Sequence, residues 1–175
     1  MKKFIITLIA LLILLFIPAE SITMAKDPTM ASEMFKINHS ATILGDAGHF
    51  YIPSVELDVP IYYYKEEHQA IVDAEYSAIY RKSFNGGCGY IADHASQGFN
   101  KIYQCKIGNY AYIRTEKEIR VFKCIDIIYG YNKKYDLLTY ARQYVSNIHW
   151  ADLCCYTCND EEGVNITMVF FKEIV

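Results

Sequence analysis

The chain has 175 residues, with 17 Lys and Arg against 20 Asp and Glu and a formal charge of −3. No basic patch recurs along it, which argues against nucleic acid as a partner. Sixteen Tyr and nine Phe suit strands better than helices.

The chain starts "MKKFIITLIALLILLFIPAESITMAKD". Lys2 and Lys3 precede an apolar run from Phe4 to Ile17, Pro18 breaks it, and Ala19, Ser21 and Ala25 follow. Charge, apolar core and small-residue exit make a secretory signal over residues 1–25. A membrane-spanning helix wants about 20 apolar residues, so the run is short for a stable anchor. Anchoring through residues 4–17 is the competing reading. Either way the remainder works outside the cytoplasm. That remainder is long enough for one domain with a full core, and its formal charge is about −4.

Residues 26–48 read as a linker or N-terminal segment, with 26–41 either irregular or a helix lying on the domain. The domain itself is expected over 49–175. "HFYIPSVELDVPIYYY" (49–64) contains two short β runs broken by Pro53 and Pro60, residues that favour edges or strand starts. "QAIVDAEYSAIYRKS" (69–83) reads as a helix, because Ile71, Ala74, Ala78 and Ile79 share one face. "NGGCG" (85–89) is a turn, and no Gly-Lys-Ser/Thr follows to make it a phosphate loop. "YIADH" (90–94), "NYAYIRT" (109–115) and "IRVFKCIDIIYGY" (119–131) read as strands. The stretch 136–146 reads as a helix. "DLCCYTC" (152–158) and "VNITMVFFKEI" (164–174) are the last two strands, joined by acidic "NDEEG". Seven or so short strands with one or two short helices suggest a closed or nearly closed barrel.

Three of the six cysteines fall within "DLCCYTCNDEE". Cys155-x-x-Cys158 has redox spacing, but that chemistry depends on a helix N-terminus, and these surroundings read as strand. On a strand, residues three apart point to opposite faces. A shared metal or disulfide is therefore disfavoured. Cys88, Cys105 and Cys124 stand singly with no His at ligand spacing, so no metal site is expected. Cys105, Cys124 and Cys155 read as small buried hydrophobes. Cys158 ends a strand just before a polar loop, where catalytic groups tend to be displayed.

A thiol nucleophile needs a partner that favours its thiolate, usually a His. Of the five histidines, His39 lies in a polar segment, His49 in a Gly-rich turn and His68 beside charged residues. His149 adjoins Trp150 and reads as half-buried. His94 ends the strand "GYIAD" and opens "ASQGF", the same strand-end setting as Cys158.

From about residue 50 onward the chain resembles the sortases, extracellular cysteine transpeptidases of Gram-positive bacteria. The resemblance rests on "YIPSVELDVPIYYY", on "YIADHASQGFNKIYQCKIGNYAYI" with its Lys106-Ile107-Gly108-Asn109 turn, and on "LCCYTC" followed by a last strand. It implies a closed eight-stranded sortase-type β-barrel with one or two short helices. It also implies Cys158 as nucleophile and His94 as acid/base, with no cofactor. The implied partners are a peptide sorting signal and an amine acceptor (or water) at the cell surface.

Two departures stand out. The family carries an Arg on the strand after the Cys, whereas residues 159–175 contain none. Asn165 and Thr167, on the face expected beside Cys158, are the candidates for oxyanion or substrate contact; an Asn amide is able to donate but brings no charge. Asp93 stands where a Gly is usual, and little contact between its carboxylate and the imidazole is expected. The missing Arg keeps a second reading open, a sortase-fold peptide- or cell-wall-binding module without catalysis.

Overall fold

The computed structural model describes residues 27–40, 42–64, 77–82, 87–133, 136–139, 147–159 and 164–174. The candidate signal segment and His68 lie outside them. Nine strands are described: β1 (Gly48–Ile52), β2 (Leu57–Tyr63), β3 (Ala78–Arg81), β4 (Gly89–Ala92), β5 (Tyr110–Arg114), β6 (Ile119–Lys133), β7 (Asp136–Thr139), β8 (Leu153–Cys158) and β9 (Asn165–Glu173). Their order is β5-β1-β2-β3-β4-β8-β9-β6-β7, and a further β5–β6 pairing closes eight of them into a ring. The ninth, β7, pairs with the C-terminal end of β6, Gly130 to Lys133. Two pairings are parallel, β2–β3 and β4–β8; the other pairings are antiparallel. The expected closed eight-stranded barrel is what forms.

Local chemistry explains the first corner. Pro53 opens a single 3-10 turn (Pro53–Val55), and Glu56 closes it at φ 53 before β2 starts. Pro60 lies inside β2 rather than at its start, opposite His49. β3 joins only from Ile61 onward, so the missing Pro60 N–H falls where no β3 ladder bond is due. Gly48, at φ 115, makes the entry to β1 possible. A Cβ there would lie 2.3 Å from the Arg114 carbonyl oxygen.

Two expected helices are not found where they were placed. Ala78–Arg81 is a strand, with Ala78 and Tyr80 buried and Arg81 exposed. Four residues satisfy the helical and the alternating period equally well, and the ring supplied the partners that decided between them. Residues 69–76 lie outside the description. Asp136–Thr139 is likewise a strand, folded back on β6 from Lys133, and 140–146 are not described.

The N-terminal segment does form a helix, α1 (Pro28–Asn38). Asp27 caps it by accepting from the backbone N–H groups of Thr29 and Met30 at 3.0 and 3.2 Å, and Pro28 occupies the first turn, where no donor is missed. Met30 and Ile37 bury against Tyr51, Tyr112 and Val121. The Tyr110 hydroxyl donates to Asp27, and that of Tyr112 to Glu33 at 2.6 Å, so β5 holds the helix by polar contacts as well as apolar ones.

The barrel interior is apolar. Phe50, Ile91, Ile113, Phe122, Cys155 and Phe171 are among its members. A second cluster lies on the other face of β8 and β9, where Cys154, Ile166, Met168 and Phe170 pack with Cys88, Ile148 and Ala151. Burial on both faces is why "ITMVFF" shows no alternation of polarity.

Candidate active site

Because β4 and β8 run parallel, both end at the same rim. Gly89 pairs with Leu153 and Ala92 with Tyr156. Continued two residues beyond the ladder, that register sets Asp93 beside Thr157 and His94 abreast of Cys158. A cross-link confirms the first of these neighbours: the Thr157 hydroxyl donates to the Asp93 carbonyl at 2.9 Å, with Thr157 fully buried. Adjacent strands lie about 4.8 Å apart, and abreast residues of a parallel pair share a face. His94 and Cys158 are each half-buried. They are 64 residues apart in the chain, and the parallel ladder brings their two strand ends to one rim.

Other groups hold the rim. The Tyr103 hydroxyl, from a 3-10 turn at Ile102–Gln104, donates to the Cys158 carbonyl at 2.8 Å. Past Cys158, the Asn159 N–H donates to the Asn165 carbonyl at 2.6 Å. The Thr167 hydroxyl donates to Asn159 Oδ1 at 2.8 Å. Nothing in the sequence signalled Tyr103. Thr157 was part of the quoted motif but had no role assigned.

The β8–β9 register changes one expectation. Cys158 pairs with Ile166, and Thr157 with Thr167. Opposed residues of an antiparallel pair share a face. Ile166 therefore stands on Cys158's side, and Asn165 and Thr167 point to the other. Asn165 is exposed; Thr167 is buried, with its hydroxyl engaged by Asn159. The expected face was wrong because alternation along one strand cannot give the register to its neighbour. Two arginines on other strands of the ring, Arg114 and Arg120, are held elsewhere. Arg120 makes two bonds to the Glu173 carboxylate, at 2.6 and 2.7 Å. Arg114 donates to the Ser40 carbonyl at 2.7 Å.

Thiol environments differ sharply. Cys155 faces the barrel interior and Cys154 the outer cluster, and burial pushes both thiols well above their ordinary pKa. Burial pushes Cys88 up to about 12. Cys105 and Cys124 are buried too, so Cys158 is the one thiol of the six that is not. Cys155 and Cys158 lie on opposite faces of β8, as the strand reading required. Among the described residues no group of three His, Cys, Asp or Glu is placed to hold a metal ion.

The other described histidines serve elsewhere. His49 is buried in β1 with Nδ1 2.8 Å from Asp58, and burial, then the Arg114 charge, lowers its pKa to about 4. His39 is exposed at the C-cap of α1 and its ring bonds to the Phe35 carbonyl. His149 is exposed rather than half-buried.

A closed mixed barrel of eight strands, with β2–β3 and β4–β8 parallel, is a sortase-type architecture. Comparison with solved structures bears this out. Sortase C from Clostridium perfringens SM101 matches with a TM-score of 0.54 at 18% identity, over 77% of this chain and 71% of that one. The Streptococcus agalactiae sortase C1 complex with MTSET gives 0.55 at 17%, over 73% and 67%. The pilus-related sortase C of Group B Streptococcus gives 0.56 at 17%, over 74% and 67%. No family model and no curated protein matches the sequence. The chain has the sortase fold.

Proposed function

We propose that the protein is a sortase-like cysteine transpeptidase or peptidase, with Cys158 as nucleophile and His94 as acid/base. The observation that supports this reading is the parallel β4–β8 ladder, whose last pair, Ala92 and Tyr156, stands two residues before His94 and before Cys158, the one thiol that is not buried. The Cys158 thiolate attacks a backbone carbonyl carbon of a peptide sorting signal, and the carbonyl π electrons move onto oxygen. His94, protonated, gives its proton to the leaving amine as the C–N bond breaks. A thioester remains on Cys158. An incoming amine, or water, attacks the thioester carbon and gives a proton to the now neutral His94, and the C–S bond breaks to return the thiolate, leaving a new amide or a free carboxylate. No cofactor takes part. A solved structure of Clostridium perfringens sortase C with a C-terminal cell wall sorting motif supports a peptide as the partner. The segment 1–25 supports export, with the domain secreted or membrane-anchored through residues 4–17 at the surface of a Gram-positive cell.

Asn165 and Thr167 are no longer favoured as direct oxyanion donors, because Ile166 occupies Cys158's face. Removing such a donor typically costs about 3 kcal/mol of transition-state stabilisation. The lack of an Arg in 159–175 favours one second reading, a peptide- or cell-wall-binding module. The test is a thiol reactivity map: limiting iodoacetamide from pH 5 to 9, with the label located by mass spectrometry in wild type and His94→Ala. An enzyme labels first at Cys158, with a pH profile that shifts in the variant. If Cys158 labels no faster than the buried thiols, the catalytic reading fails.

A further inference from the structure

Asp93 is a buried carboxyl one residue before His94, with a relative exposure of 4%. Its Oδ1 accepts the His94 backbone N–H at 2.7 Å. Its Oδ2 is buried, and the polar group it faces, the Gly98 N–H, is not in good hydrogen-bond geometry. That oxygen lies in the crook of Gly98, where a Cβ would come within 2.2 Å of Oδ2 and 2.6 Å of Val59 Cγ1. The Asp93 carbonyl receives the Thr157 hydroxyl. One residue thus contacts the His94 turn through its side chain and the Cys158 strand through its main chain. The turn is also closed on itself, since Gln97 and Phe99 donate to the His94 carbonyl at 3.1 and 3.4 Å.

Burying a carboxyl in this way is unfavourable in itself. Desolvation pushes its pKa up to about 7, and the His94 N–H, the His94 charge and the nearby Gly98 N–H offset only part of that. From β2 the neighbour is Val59 and from β8 it is Thr157, neither of which titrates. A locally unfavourable group that fastens two segments of a site is where a functional constraint is expected.

We propose that Asp93 is a positioning residue for the Cys158–His94 pair: its carboxyl ties down the backbone of the His94 turn from inside, and its carbonyl locks that turn to β8. The inference rests on the catalytic reading above. The carboxyl acts as an acceptor at Oδ1, which both its protonation states provide. Asn retains that acceptor and Ala removes it.

Residue-resolved amide exchange of the chain by NMR reads the tie directly. In Asp93→Ala the His94 N–H exchanges at least tenfold faster relative to the β4 amides, while Asp93→Asn stays within about threefold of wild type. The pH profile of Cys158 alkylation reads its consequence. In Asp93→Ala it moves to that of His94→Ala, and Asp93→Asn restores the wild-type shape. A residue that only stabilised the fold would leave that profile in place. Thr157→Val, which cuts the carbonyl tie and keeps the side-chain volume, shifts the profile in the same direction and stands in if Asp93→Ala does not fold. The proposal is overturned if the His94 N–H is as protected in Asp93→Ala as in wild type, if Asn behaves like Ala, or if Thr157→Val leaves the profile unmoved. If wild type and His94→Ala share one alkylation profile, the catalytic reading fails instead, and the amide exchange still decides the tie.

Discussion

The buried Asp93 carboxyl makes a quantitative prediction about stability and pH. Its pKa in the folded chain is about 7, against an ordinary value of 3.8, with burial as the cause. Between those values the folded chain keeps a proton that the unfolded chain gives up. The group's favourable contribution is therefore fully present below pH 3.8 and is lost as pH rises through 7. About three pKa units at 1.36 kcal/mol each set a ceiling of about 4 kcal/mol. Water entering the rim lowers this, and about 2–3 kcal/mol is expected. Asn carries no such dependence. Urea unfolding of wild type and Asp93→Asn from pH 4 to 8 isolates the effect, because His94 and the other titrating groups are common to both. The stability difference, wild type minus variant, should fall by about 2–3 kcal/mol over that range, so that Asn is relatively better at high pH. A difference that is flat, or that rises with pH, would refute the reasoning: the carboxylate would then be stabilised where it sits.

Three further outcomes follow from the packing. Gly98→Ala forces a methyl against Asp93 and Val59, and denaturant unfolding should show a loss of about 1–3 kcal/mol. Arg120→Met leaves the half-buried Glu173 carboxylate without its guanidinium; a loss of about 1.5–3 kcal/mol, largely insensitive to added salt, should appear in unfolding at low and high ionic strength. Tyr112→Phe releases Glu33 of α1, and limited proteolysis should cut near residues 27–40 sooner than in wild type while the barrel stays intact.

How much of this was legible follows the physics of each signal. Strands β5, β6, β8 and β9 announced themselves through β-branched and aromatic runs bounded by turns. The stretches 78–81 and 136–139 did not, because a few residues fit either period and only a strand partner chose. Asp93 looked inert because adjacent strand residues point apart. Its carboxyl accepts the His94 backbone N–H, a contact no side-chain pattern encodes. The oxyanion candidates failed for a related reason, since the face of Asn165 and Thr167 relative to Cys158 is a matter of register.

Residue chemistry and local pattern alone determined the β character of the chain, the contrast between Cys158 at a strand end and its buried fellows, and the strand-end setting of His94. These depend on neighbours within a few positions. Closure of the ring decided the rest. It set β4 against β8 in parallel, tied the Thr157 hydroxyl to the Asp93 carbonyl, turned Ile166 rather than Asn165 to Cys158's face, and buried the Asp93 carboxyl. The β4–β8 pairing joins segments more than sixty residues apart, and the register of each pair is fixed by which faces the whole barrel must bury.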